Sequence, residues 1–125
     1  MLNLLIIEDD ENLLELLCIL FAKKGYNVAG KRTYVEAKEY LHGGHAASTN
    51  IVLADFLLKG TTTEGLLELA KEKAPGARII IMSADTAAMR KNMGTLFSRK
   101  MIDAVIAKPC DFDVLLNLVQ ELSSF

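Results

Sequence analysis

The chain has 125 residues, of which 51% are hydrophobic and 24% charged, with a net charge of −2. That composition excludes a disordered chain and a broad basic footprint for nucleic acid, and it suffices for one compact domain with a real core. Two cysteines, Cys18 and Cys110, form neither a disulfide framework nor a metal-ligand spacing. Taken from the N-terminus, Leu4 to Ile7 reads as a buried strand. Met1 leads into it at once, so no signal peptide is expected. From Asn12 to Lys24, Leu13, Leu16, Leu17, Leu20 and Phe21 recur at helical spacing, and Gly25 stops the helix. The longest apolar stretch, Leu13 to Ala22, contains Glu15 and is far short of the ~18 residues of a membrane span, so a cytoplasmic location is expected. Cys18 reads as a small core residue of this helix.

Tyr26 to Ala29 reads as a short strand. Thr33-Tyr34-Val35-Glu36 is a capping box for a second helix that ends near His42-Gly43-Gly44. Residues 43 to 50 read as loop, with His42 and His45 exposed. Strand Ile51 to Ala54 follows. Thr61-Thr62-Thr63-Glu64 is another capping box, for a helix running to Ala74 before Pro75. Ile79 to Met82 is the next strand. Residues 86 to 100 read as a weaker helix, interrupted by Asn92, Gly94 and Thr95. Strand Ala104 to Ala107 precedes a last helix, Phe112 to Leu122, with Asp111 as N-cap. Strands and helices alternate strictly, with no linker or repeat. This predicts an α/β fold, a doubly wound parallel sheet of five strands in a three-layer sandwich, as a single domain over residues 1–125.

Three short pieces share one chemistry: the acidic cluster Glu8-Asp9-Asp10, the lone Asp55, and Lys108-Pro109. Each follows an apolar run. In a parallel sheet such strand ends point toward one edge, where ligands bind. Carboxylates from two strands and an ammonium from a third should meet there. Oxygen ligands suit a hard cation such as Mg²⁺, and the lysine suits a phosphoryl group. A carboxylate beside both can serve as a covalent nucleophile toward phosphorus. Ser83, at the end of Ile79 to Met82, would bring a hydroxyl to the same edge. The helix dipole explains Asp10 and Glu11 well, but explains less well why Glu8 and Asp9 follow directly on a buried strand.

In order, the pieces read L-L-I-I-E-D-D-E-N, I-V-L-A-D, I-I-I-M-S-A and V-I-A-K-P. With them the chain resembles the response-regulator receiver domain of bacterial two-component signalling (the CheY-like superfamily) over residues 2 to 123. The resemblance implies a flavodoxin-like strand order 2-1-3-4-5. It implies that Asp55 is the phosphoacceptor, that Glu8 and Asp9 take the acidic-pair positions, and that Asp10 falls one place beyond. Mg²⁺ would be held by Asp9, Asp55, the backbone carbonyl of Leu57, and Glu8 through water. Ser83 and Lys108 would contact phosphoryl oxygens, and the Lys108–Pro109 peptide would be cis. The expected function is a Mg²⁺-dependent phospho-acceptor switch rather than an enzyme, assisting only its own phosphorylation and dephosphorylation. The phosphoryl donor would be a sensor histidine kinase or a histidine phosphotransfer protein. The output would be read by a protein partner on the face of the fourth helix, last strand and last helix. No effector domain, nucleic-acid contact or membrane insertion is expected, and homodimerisation is left open.

Two features depart from the family pattern. Lys59 stands where a proline is usual, and the run Lys59-Gly60-Thr61-Thr62-Thr63-Glu64-Gly65 is longer than usual. Val105 holds the place of the switch aromatic, three residues before the lysine, so an aromatic gate cannot operate. Three other readings compete. A haloacid-dehalogenase-like phosphatase wants D-x-D at its nucleophile, whereas this chain has Asp55-Phe56-Leu57. A flavodoxin-like cofactor binder would place a neutral phosphate loop after the first strand, where Glu8-Asp9-Asp10 would repel phosphate. A degenerate receiver, signalling without phosphorylation, would not need the acceptor residues that are intact here.

Overall fold

The apolar runs of the sequence become parallel strands because both faces of the sheet they form are covered. The computed structural model describes residues 2–55, 63–84, 87 and 101–123. In chain order the elements are β1 (Asn3–Ile7), α1 (Glu11–Lys23), β2 (Asn27–Lys31), α2 (Tyr34–His42), a 3-10 turn (Ala46–Ser48), β3 (Ile51–Asp55), α3 (Thr63–Lys73), β4 (Arg78–Ser83), β5 (Ala104–Ala107) and α4 (Phe112–Leu122). The five strands stand in the order β2-β1-β3-β4-β5, as the resemblance implied. Every pairing is parallel.

Alternate residues of each central strand feed two separate cores. Leu5, Ile7, Val52, Ala54, Ile79 and Ile81 pack against α2 and α3. Leu4, Ile6, Leu53, Ile80 and Met82 pack against α1 and α4, where Phe21 is fully buried. A strand buried on both sides needs apolar residues at every position, which is why these strands show runs rather than alternation. Each buried Leu or Ile contributes about 1.5–3 kcal/mol.

The ends of the elements have local causes. Asp10 caps α1, its carboxylate accepting the Leu13 N–H at 3.2 Å, so the helix starts at Glu11, one residue earlier than the apolar spacing predicts. Gly25 closes the helix with φ 94°, a left-handed conformation that favours glycine. Strand β2 begins at Asn27 rather than Tyr26 and runs to Lys31 rather than Ala29. Tyr26 belongs to the helix exit: its N–H donates to the Phe21 carbonyl, and its ring meets Phe21 edge-on at 5.5 Å. Pairing with β1 then carries β2 on to Lys31, opposite Ile7.

Thr33 caps α2 by accepting the Glu36 N–H at 3.1 Å. The Glu36 carboxylate receives the Thr33 hydroxyl instead of closing the second half of a capping box. The predicted loop 43–50 contains a 3-10 turn. Asp111 has the extended backbone of an N-cap, but its side chain makes no capping hydrogen bond. The capping threonines Thr61 and Thr62 and the predicted helix over 86–100, apart from residue 87, lie outside the described residues. Among the described residues no helix is long and apolar enough to cross a membrane.

Candidate functional site

Register brings the four strand ends together. Ile7 pairs with Ala54, Asp55 with Met82, and Ser83 with Ala107. Glu8, Asp55, Ser83 and Lys108 therefore line the carboxyl edge of adjacent strands β1, β3, β4 and β5. A backbone bond fixes the last junction, with the Lys108 N–H donating to the Ser83 carbonyl at 2.8 Å. The Lys108–Pro109 peptide is cis.

Glu8 is the best-shielded charged residue of the site. It is fully buried, and its N–H donates to the Lys31 carbonyl at 3.0 Å. One carboxylate oxygen accepts the Lys108 ammonium at 2.6 Å and the other accepts the Asp10 N–H at 3.1 Å. Burial pushes the Glu8 carboxyl up to about 7, against the pull of Lys108 and the Asp10 N–H. Asp55 is 7% exposed, and its Oδ1 lies 3.5 Å from the same ammonium. For Lys108, burial alone would lower the pKa. The Glu8 hydrogen bond and the charges of Asp55 and Glu8 outweigh it, and the net shift is upward. The lysine is therefore a fixed cation between two carboxylates.

Asp9 completes the acidic set. Carboxylate oxygens of Glu8, Asp9 and Asp55 all lie within 4.8 Å of one another. Three hard oxygen donors at that spacing, two of them buried, fit a cation such as Mg²⁺, which takes few protein ligands and keeps several waters. The structure thus brings Glu8, Asp9, Asp55 and Lys108 into one cluster, and Ser83 ends β4 beside them with 3% exposure. Leu57 and Lys59 lie outside the described residues.

Several residues set aside in the sequence stay apart from the cluster. His42 and His45 are exposed. Cys110 is exposed and Cys18 is half-buried against the core. Val105 is half-buried and packs on the core beneath α2 and α3. One relationship was missed: Glu8 is the direct partner of Lys108. The only signal in the sequence was an acid following a run of buried apolar residues without a break.

A protein-family model described as response regulator receiver domain matches residues 4–120. No curated protein matches the sequence significantly. Among solved structures, a response regulator receiver domain protein from Clostridium thermocellum superposes with a TM-score of 0.84 at 16% identity, covering 99% of this chain and 95% of that one. The non-phosphorylated HemR receiver domain from Leptospira biflexa gives 0.83 at 23% identity, covering 100% and 96%. The response regulator TrrA from Thermotoga maritima, solved in complex with Mg²⁺-BeF, gives 0.75 at 22% identity, covering 98% and 99%.

Proposed function

The chain belongs to the response regulator receiver domain family, and on that premise we propose that it is a phospho-acceptor switch whose acceptor is Asp55. The observation that carries this reading is the placement of the Asp55 carboxylate. It lies 3.5 Å from the Lys108 ammonium and shares one cluster with two further acids. In the transfer, an Asp55 oxygen attacks phosphorus and forms the aspartyl O–P bond. The P–N bond to a donor histidine breaks, and the imidazole leaves with that electron pair.

Asp9 and Asp55, with the Leu57 carbonyl, are the groups that would hold Mg²⁺, and Glu8 would reach it through water. Bound Mg²⁺ supplies charge neutralisation at the phosphoryl oxygens. Lys108 neutralises a second share of that charge, and the Ser83 hydroxyl donates to a phosphoryl oxygen. That the TrrA relative was solved in complex with Mg²⁺-BeF supports Mg²⁺ as the cation in this reading. The reaction is a single transfer onto the protein itself, so the chain acts as a switch and not as a turnover catalyst. Its upstream partner is a histidine kinase or a histidine phosphotransfer protein. A downstream protein reads β5 and α4, on which Val114 is exposed; the 86–100 segment expected to share in this output lies, apart from residue 87, outside the described residues.

Intact mass after incubation with acetyl phosphate and Mg²⁺ tests the assignment. Wild type should gain one phosphoryl group, and Asp55→Asn should gain none. Equal labelling of both proteins would remove Asp55 as acceptor.

A further inference from the structure

Helix α1 carries large apolar residues where it faces water. At about 100° per residue, Asn12, Glu15, Leu16, Ile19, Ala22 and Lys23 share its outer face, and all six are exposed. The buried residues Leu14, Leu17 and Phe21 lie on the opposite side. Ile19 is 46% exposed and Leu16 52% exposed. A surface helix normally carries polar residues at these places. The apolar surface also extends sideways. Leu16 forms one wall of a groove of about 350 Å³ that runs between Leu13, Leu20, Pro109 and Phe112.

The charges around this apolar centre are arranged head to tail. Glu15 lies one turn before Ile19 and Lys23 one turn after it. Neither has an ion-pair partner among the described residues. They cannot pair with each other, because helical neighbours stand three or four residues apart. Ile19 separates them, and the span is about 12 Å along the axis. The helix dipole favours Lys23 near its end. It gives no reason for a large aliphatic residue at the apex of the wet face.

We propose that this face of α1 pairs with the same face of a second copy of the chain, antiparallel, across a two-fold axis at Ile19. In that pairing Ile19 meets Ile19, Leu16 meets Ala22, and each Glu15 meets the other copy's Lys23. The two helix dipoles run in opposite directions. The patch is self-complementary, as a two-fold interface requires. One helix face per copy is a small interface, so the dimer is weak and its population depends on concentration.

Charge reversal distinguishes this pairing from any other use of the face. Sedimentation velocity over a roughly hundredfold concentration range should show wild type passing from monomer to dimer. Glu15→Lys and Lys23→Glu should each remain monomeric at the top of that range, since each sets like charges opposite one another. The double variant Glu15→Lys/Lys23→Glu should recover the wild-type dimer. An equimolar mixture of the two single variants should do so as well, because both crossed pairs then have opposite charges. Far-UV circular dichroism checks that each variant is folded, and Ile19→Glu provides a second, charge-independent disruption. A wild type that stays monomeric throughout overturns the proposal. So does a dimer that either charge reversal or Ile19→Glu leaves intact, which would place the contact elsewhere.

Discussion

Glu8 and Lys108, 100 residues apart in sequence, meet in a 2.6 Å ion pair whose acidic partner is wholly shielded from water. A pair of this kind adds little net stability compared with an apolar replacement, yet breaking it is costly, because one charge is left buried alone.

That asymmetry makes Lys108→Met informative in metal-free protein. Losing Lys108 removes a pull that lowers the Glu8 pKa, so it is well above pH 7 that the variant must keep an unpaired carboxylate inside the fold, at a cost of about 3 kcal/mol. At pH 5 Glu8 can take up a proton, and the loss should fall to about 1 kcal/mol, the worth of one ordinary hydrogen bond. Urea unfolding in EDTA at the two pH values measures both. Equal losses would show that Glu8 is not the residue left stranded.

The same carboxyl sets a pH dependence in wild type. Its pKa rises from 4.5 in the unfolded chain to about 7 in the folded one. Between these values the folded protein holds a proton that the unfolded chain has released. The contribution of Glu8 is therefore fully present below pH 4.5 and is lost as pH rises through 7. At 1.36 kcal/mol per unit, the rise from 4.5 to about 7 makes the loss roughly 3–4 kcal/mol at most. Glu8→Gln has no such proton, so its stability profile in EDTA should lack this downward slope. Parallel profiles for the two proteins would assign the slope to other groups.

Removing a proposed metal ligand should separate binding from folding. Asp9 is only half-buried, so Asp9→Asn should leave the fold intact. Its Mg²⁺ affinity should fall at least about tenfold, equivalent to 1.4 kcal/mol, and labelling by acetyl phosphate should slow with it. Calorimetric titration with Mg²⁺ gives the first number, and time-resolved intact mass gives the second. An unchanged affinity would take Asp9 out of the metal site.

Gly30 offers a test of packing away from the site. A Cβ added there would stand 2.7 Å from the Cys18 sulfur and 3.2 Å from Leu14 Cδ1. Gly30→Ala should lose about 1–2 kcal/mol through overpacking of α1 on β2. Cys18→Ala in the same chain should restore most of that loss. A double-mutant cycle by thermal unfolding reads the coupling, and strictly additive effects would mean the sulfur is not the obstacle.

Much of this fold could be read from the chain because local and global signals agree. The bounds Ala104–Ala107 came from apolar pattern, and Phe112–Leu122 from apolar pattern with Asp111 marking its start. The convergence of Glu8, Asp9, Asp55 and Lys108 followed from the geometry of parallel strand ends. Strand order needed the family resemblance, because periodicity does not choose neighbours. Strand β2 was misplaced because Asn27, Gly30 and Lys31 carry little strand preference. Its limits come from pairing with β1, which is a tertiary fact. The Glu8–Lys108 bond was illegible for a similar reason, since nothing local to either residue names its partner. Asp111 shows the reverse error, where a residue of the right type takes the cap position without making the cap bond.

The two halves of the site ride on different parts of the sheet. The three carboxylates hang from β1 and β3, which are interior strands with neighbours on both sides. Lys108 extends from β5, a marginal strand held by β4 alone. Peeling β5 away costs less than unfolding the whole domain. Such an excursion would withdraw the ammonium and leave the acids assembled, open to a solvent cation or to protons. The electronegative basin is thus the durable part of the molecule and its basic lip the detachable one. Slow amide exchange at β1 and β3 with faster exchange at β5 would be the outward sign.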